Sequence, residues 1–148
     1  MANTIETIST NQSTTKLAAT RLPTKAFIKL EAWKKCIEIK SIFNVEIIPS
    51  LPQDKLDSLG DSIKKTALSI TTDYLPYNRI VSKQYNKLNE RENILFVRKV
   101  RLSLSQLKNY LSICSDYNYI DNTTYNKGTL LIEYTKALLN RYIYFLSR

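Results

Sequence analysis

The chain is 148 residues long, 43% hydrophobic and formally +9 in net charge, a length that suits one domain able to bury roughly two thirds of its unfolded surface without disulfides or a metal. It contains no histidine, two glycines and four prolines. The first absence removes the commonest general base and the commonest metal ligand, and so few turn residues argue against a sandwich or barrel of many short strands and for an all-α chain.

Met1 to Thr24 is rich in Ser, Thr and Asn, with neither a continuous apolar core nor an early basic cluster. It reads as a flexible tail (residues 1–24) ahead of a helical bundle (residues 25–148), not as a signal peptide. Lys or Arg interrupts each later apolar run before it reaches the ~18 to 20 residues a membrane span needs. A soluble, cytoplasmic protein with no membrane partner is expected. A first helix is predicted from about Thr24 or Lys25 to Ile48, with Leu30, Trp33 and Ile37 giving the apolar spacing and Pro49 and Pro52 enforcing the stop. A second begins near Asp54 as N-cap, carries Asp57 and Asp61 in or near its first turns, and turns Leu56, Leu59, Ile63, Ala67 and Ile70 inward. Pro76 marks its end, and the stretch to about Asn89 reads as a mobile connection.

The third helix, from about Glu90 to Asp116, has the clearest pattern. Val97, Val100, Leu104, Leu107, Leu111 and Cys114 recur at spacings of three and four, which is the seam of a helix that buries one side. A turn at residues 117–121 leads to a fourth helix from near Asn122 or Thr123 almost to Arg148, with Leu131, Leu138, Tyr142 and Phe145 on its apolar spacing. Four helices with one apolar stripe each, joined by short connections, predict an antiparallel up-down-up-down four-helix bundle. Cys36 and Cys114 lie in apolar helical contexts and read as two buried free thiols in a reducing compartment.

The charge is regional. Residues 61–110 hold ten bases against four acids, whereas residues 31–60 are net −1. From Asn93 to Ser115 every charge is positive. At about 100° per residue, Arg98, Arg101 and Lys108 share an arc beside the apolar seam, with Arg91 joining if the helix starts early enough. A row of one sign along a buried edge suits a surface that meets phosphates. The candidate nucleic-acid-binding residues are Lys64, Lys65, Arg79, Lys83, Lys87, Arg91, Arg98, Lys99, Arg101 and Lys108. Tyr74, Tyr77 and Tyr85 lie close to Arg79, Lys83 and Lys87 and are candidates for stacking bases. Such contacts read little base sequence, so binding should be sequence-tolerant and salt-dependent. This reading requires the row to be uncompensated by carboxylates.

Catalysis has no such support. Cys36 and Cys114 lack a histidine partner and metal-ligand spacing, Asp54 with Asp57 and Asp116 with Asp121 suit helix ends, and two isolated glycines make no phosphate loop. A non-enzyme without cofactor or metal is expected. Tyr142-Ile143-Tyr144-Phe145-Leu146 is apolar most of the way round its helix, which makes Tyr142, Ile143, Phe145 and Leu146 the candidate oligomer interface.

Four blocks of sequence carry a family resemblance. They are Leu30 with Trp33; Leu51-Pro52-Gln53-Asp54, then Leu59 and Ile63-Lys64-Lys65-Thr66-Ala67-Leu68-Ser69-Ile70; Ser103-Leu104-Ser105-Gln106-Leu107; and Tyr119-Ile120-Asp121. In this order the chain from about Lys29 resembles the bacterial four-helix-bundle family of proteins encoded in 23S ribosomal RNA intervening sequences and the accessory variability proteins of diversity-generating retroelements. Family glycines are Ser58, Leu102 and Asn118 here, and the family's segment after Ser-Ile is replaced by Asp73-Tyr74-Leu75-Pro76-Tyr77, so the chain resembles a divergent member. The resemblance implies a homo-oligomer, most often a pentameric barrel. In the retroelement branch it implies a reverse transcriptase and nucleic acid (RNA or DNA) as partners. The other expectation is an oligomeric scaffold acting through protein contacts alone.

Overall fold

The computed structural model describes residues 25–73 and 90–147. The expected tail, the connection around Tyr77 and Tyr85, and Arg79, Lys83 and Lys87 lie outside the described residues. Among the described residues the chain is helical and contains no strand.

Helix α1 (Lys25–Ile42) continues through a wide π turn (Phe43–Ile47) and a 3-10 turn (Ile48–Ser50). Pro49 explains the change of pitch. It has no N–H to give, and its ring crowds the carbonyl four residues back, so the helix opens before it. Leu51, preceding Pro52, is extended (φ −74°, ψ 146°), as the ring of a following proline demands. The chain re-enters helix through a 3-10 turn (Gln53–Lys55) and a π turn (Leu56–Gly60) into α2 (Asp61–Leu68), which ends in a further π turn (Ser69–Asp73). Asp54 is not the N-cap expected of it. It lies within the 3-10 turn, and no side chain caps any of these starts.

Helix α3 (Glu90–Asp116) closes with two reversed hydrogen bonds, Asn118 N–H to Ser115 O at 3.0 Å and Tyr119 N–H to Cys114 O at 2.8 Å. Asn118 sits between them at φ 61°, the left-handed position that usually takes Gly or Asn at a helix C-terminus. Asp121 then caps α4 (Asn122–Leu146), its carboxylate accepting from Thr124 N–H at 2.8 Å.

Ile28, Ala32, Cys36, Ile39, Phe43 and Ile47 form the inner face of the first helix. The expected Leu30 and Ile37 are 37% and 44% exposed, and Trp33 is half-buried. This helix is apolar around much of its girth, so spacing alone left its inward side undecided. Ile63, Ala67 and Ile70 are buried as expected, with Leu56 and Leu59 half-buried against the core. All six residues of the α3 seam are buried. In α4 the deepest residues are Ile132, Thr135 and Leu139, one residue on from the expected register, although Leu138 and Tyr142 are also inside.

Two sets of contacts fix directions. Arg101 meets Asn140, Lys108 meets Glu133 and Leu111 lies at Gly128, so α3 and α4 run antiparallel. Glu31 meets Tyr134 and Glu46 meets Lys127, so α1 and α4 do too. Helix α4 therefore lies between α1 and α3. On the other side of α3, Ser69 and Ser103 hydroxyls meet at 3.3 Å in the interior. Cys36 and Cys114 are free and buried, and burial pushes their thiols up to about 12 and about 11 respectively, the behaviour of inert core residues. No described helix is long and apolar enough to cross a membrane.

Candidate nucleic-acid interface

At the α3–α4 seam Gly128 lies against Leu111. A Cβ at that position would lie 2.9 Å from Leu111 Cδ1, so any larger residue there must push the buried Leu111 side chain aside. The antiparallel register then lays the polar edge of α4 (Glu133, Lys136, Asn140) along the basic edge of α3. Between them runs an open groove of about 500 Å³ lined by Arg98, Arg101, Leu102, Ser105, Lys136 and Asn140. Its wall presents three cations, a hydroxyl and an amide, and no carboxylate among the described residues. Arg101 donates to Asn140 Oδ1 at 2.6 Å, which fixes its guanidinium at the rim, and Arg98 has no ion-pair or hydrogen-bond partner among the described residues.

The expected row of Arg98, Arg101 and Lys108 is only partly uncompensated, and the other described candidates, Lys64, Lys65 and Lys99, lie off it. Lys108 lies on the predicted arc but is compensated, its ammonium 2.9 Å from Glu133 Oε2; the uncompensated strip shortens to Arg98 and Arg101 for that reason. Lys99 stands about 200° round the helix from Arg101, on the other flank of the seam, with its ammonium 6.0 Å from the Phe96 ring centroid. Lys64 and Lys65 are exposed on α2, and the π turn that ends α2 meets α3 at Ser103, on the flank of α3 away from the groove. Arg91 belongs to the first turn of α3, but its side chain is outside the described residues.

Lys136, Asn140 and Ser105 complete the groove and are absent from the residues selected by sequence. The α4 trio at spacings of three and four is visible in the chain, but which helix it faces is a matter of register between distant segments. The expected oligomer interface also changes. Tyr142 and Leu146 are 3% and 4% exposed and belong to this chain's own core, because α4 is covered by both α1 and α3. Ile143 and Phe145 are half-buried against the same core, which leaves Tyr144 as the exposed aromatic of that stretch.

The α1–α4 seam is built differently. Lys127 pairs with Glu46 at 2.7 Å, Lys35 with Glu38 at 2.9 Å, and the Tyr134 hydroxyl lies 3.4 Å from Glu31 Oε2. The cleft there is apolar at its centre, with Ile42, Leu130 and Leu131, and bordered by Glu38, Lys127 and Tyr134. Leu130 is 70% exposed. Among the described residues no cluster of acids and cysteines could hold a metal ion.

Comparison of the chain with protein-family models, with curated proteins and with solved structures found no match.

Proposed function

We propose that this protein is a non-catalytic accessory protein that grips nucleic-acid backbone in the α3–α4 groove, with Arg98 and Arg101 as the primary phosphate contacts and Lys136 as the third. The observation that carries the reading is a groove wall with three cations and no acid. Guanidinium groups suit it, since their planar forks match phosphate oxygens two at a time. No aromatic side chain lines the groove, so base stacking contributes little there and the binding is sequence-tolerant. The resemblance to the retroelement accessory proteins supports a reverse transcriptase as the enzyme it serves, and a homo-oligomer that repeats the groove around an axis. The antiparallel registers of α1 with α4 and α3 with α4 support the up-down-up-down order.

The test is the affinity for a mixed-sequence RNA or DNA duplex as salt rises. Three phosphate contacts per groove predict a log–log slope near −2.7 and a roughly fortyfold loss between 50 and 200 mM salt. Arg98→Glu with Arg101→Glu abolishes that slope. A flat response in the unaltered protein removes the reading.

The exposed α1–α4 cleft around Leu130 favours a second reading, an oligomeric scaffold acting through protein contacts. In that case the charge-reversed protein keeps its protein partners, and the unaltered one retains no nucleic acid at physiological salt.

A further inference from the structure

Helix α4 contains one acidic residue, Glu133, and α3 contains none from Asn93 to Ser115. That single carboxylate stands on the seam between the two helices. Its Oε2 lies 2.9 Å from the Lys108 ammonium and 3.7 Å from that of Lys136. Lys136 belongs to two places at once, to this trio and to the wall of the groove.

We infer that Glu133 is the groove's own counter-anion, occupying the position of a phosphate, and that it makes the site selective for a strand of consecutive phosphates over a single phosphate or mononucleotide. The inference rests on the groove being a phosphate site. A lone phosphate that reaches Lys108 and Lys136 must first release Glu133 to water, exchanging one anion for another at little net gain. A strand does better, because its neighbouring phosphates engage Arg98 and Arg101, which have no carboxylate to displace. Distances along α3 agree. At 1.5 Å per residue, Arg98 and Lys108 are about 15 Å apart along the helix axis, room for more than one consecutive phosphate of a strand. The Glu133 pairs are half-exposed, and exposed pairs are weak enough to be exchanged. Lys108 first and Lys136 second hold the Glu133 carboxyl below the usual range, so it is an anion at neutral pH.

The experiment compares the unaltered chain with Glu133→Gln, using a mixed-sequence single-stranded RNA 20-mer and inorganic pyrophosphate as probes, with circular dichroism melts as the control on folding. Expected are about tenfold tighter RNA binding at 0.1 M salt and a salt slope steeper by about one ion. Pyrophosphate binding should gain by a larger factor, so that selectivity for the strand falls. Glu133→Asp, too short to reach both ammonium groups, gives an intermediate result and serves if the Gln variant melts early. Equal RNA affinity in folded Glu133→Gln and unaltered protein overturns the counter-anion role and leaves nucleic-acid binding intact. Pyrophosphate binding gained by Glu133→Gln while neither protein holds RNA upholds the counter-anion and removes the nucleic-acid reading. Neither probe binding either protein overturns both.

Discussion

Helix α4 has two flanks that solve the same packing problem with opposite electrostatics. Towards α1 its lysine is matched, Lys127 on Glu46, and the neighbouring Lys35 of α1 is matched by Glu38. Towards α3 one carboxylate, Glu133, serves Lys108 and Lys136, while Arg98 and Arg101 add two more positive charges. Both seams bury apolar residues, Ile28, Cys36 and Ile39 of α1 on one side and Leu104, Leu107 and Leu111 of α3 on the other. Stability alone favours the balanced arrangement, because like charges held along one edge repel. The imbalance is the feature on which the proposed phosphate contact rests.

Prying open the α3 flank should have the largest effect. Gly128→Leu adds four carbons against buried Leu111 and should cost about 2 kcal/mol or more by overpacking, read as a lower urea midpoint, with loss of RNA binding because the groove walls separate. Two equal charge deletions on α4 separate the flanks further. Lys136→Gln should weaken RNA binding by about tenfold at low salt, and Lys127→Gln by less than about twofold, since only the former lines the groove; equal losses would mean that net charge, not the groove, attracts the RNA.

Acid should act at the start of α4 and on its α3 flank. Asp121 is held below the ordinary carboxylate range chiefly by the Thr124 backbone N–H, and Glu133 chiefly by Lys108. A depressed carboxyl stabilises the fold above its unfolded value, and that contribution is lost as pH falls through the folded one. The melting temperature should thus hold from pH 7 to about 5 and fall below about 4, with Glu133→Gln removing part of that slope. The smallest effect expected is a gain. Asn118→Gly relieves a left-handed residue at φ 61° and should add about 0.5 kcal/mol to stability in a denaturant titration without altering RNA affinity.

Much of the fold was legible residue by residue. The third helix was, in both bounds and inward face, because its apolar residues occupy one narrow stripe between charges. Pro49 and Pro52 announced the first corner, and Asp121 the last cap. The first helix hid its inward face, since Ile28, Leu30, Ile37 and Ile39 are all apolar and only packing chooses Ile28 and Ile39. Asp54 had the chemistry of an N-cap but fell inside a 3-10 turn that Pro52 starts from an extended conformation. At the candidate site, Arg98 and Arg101 were visible and Lys136 was not. Lys108 was visible too, but its neutralisation by Glu133, 25 residues on in the chain, was not.

Four helical stretches, the seam of the third and a regional excess of positive charge follow from the order of residues alone, because periodicity, proline and charge are local properties read within one or two turns. Which base stays uncompensated was decided only in three dimensions. The antiparallel register of α3 and α4 sets which residues meet, and a charge is cancelled by whatever lies within a few ångströms in space.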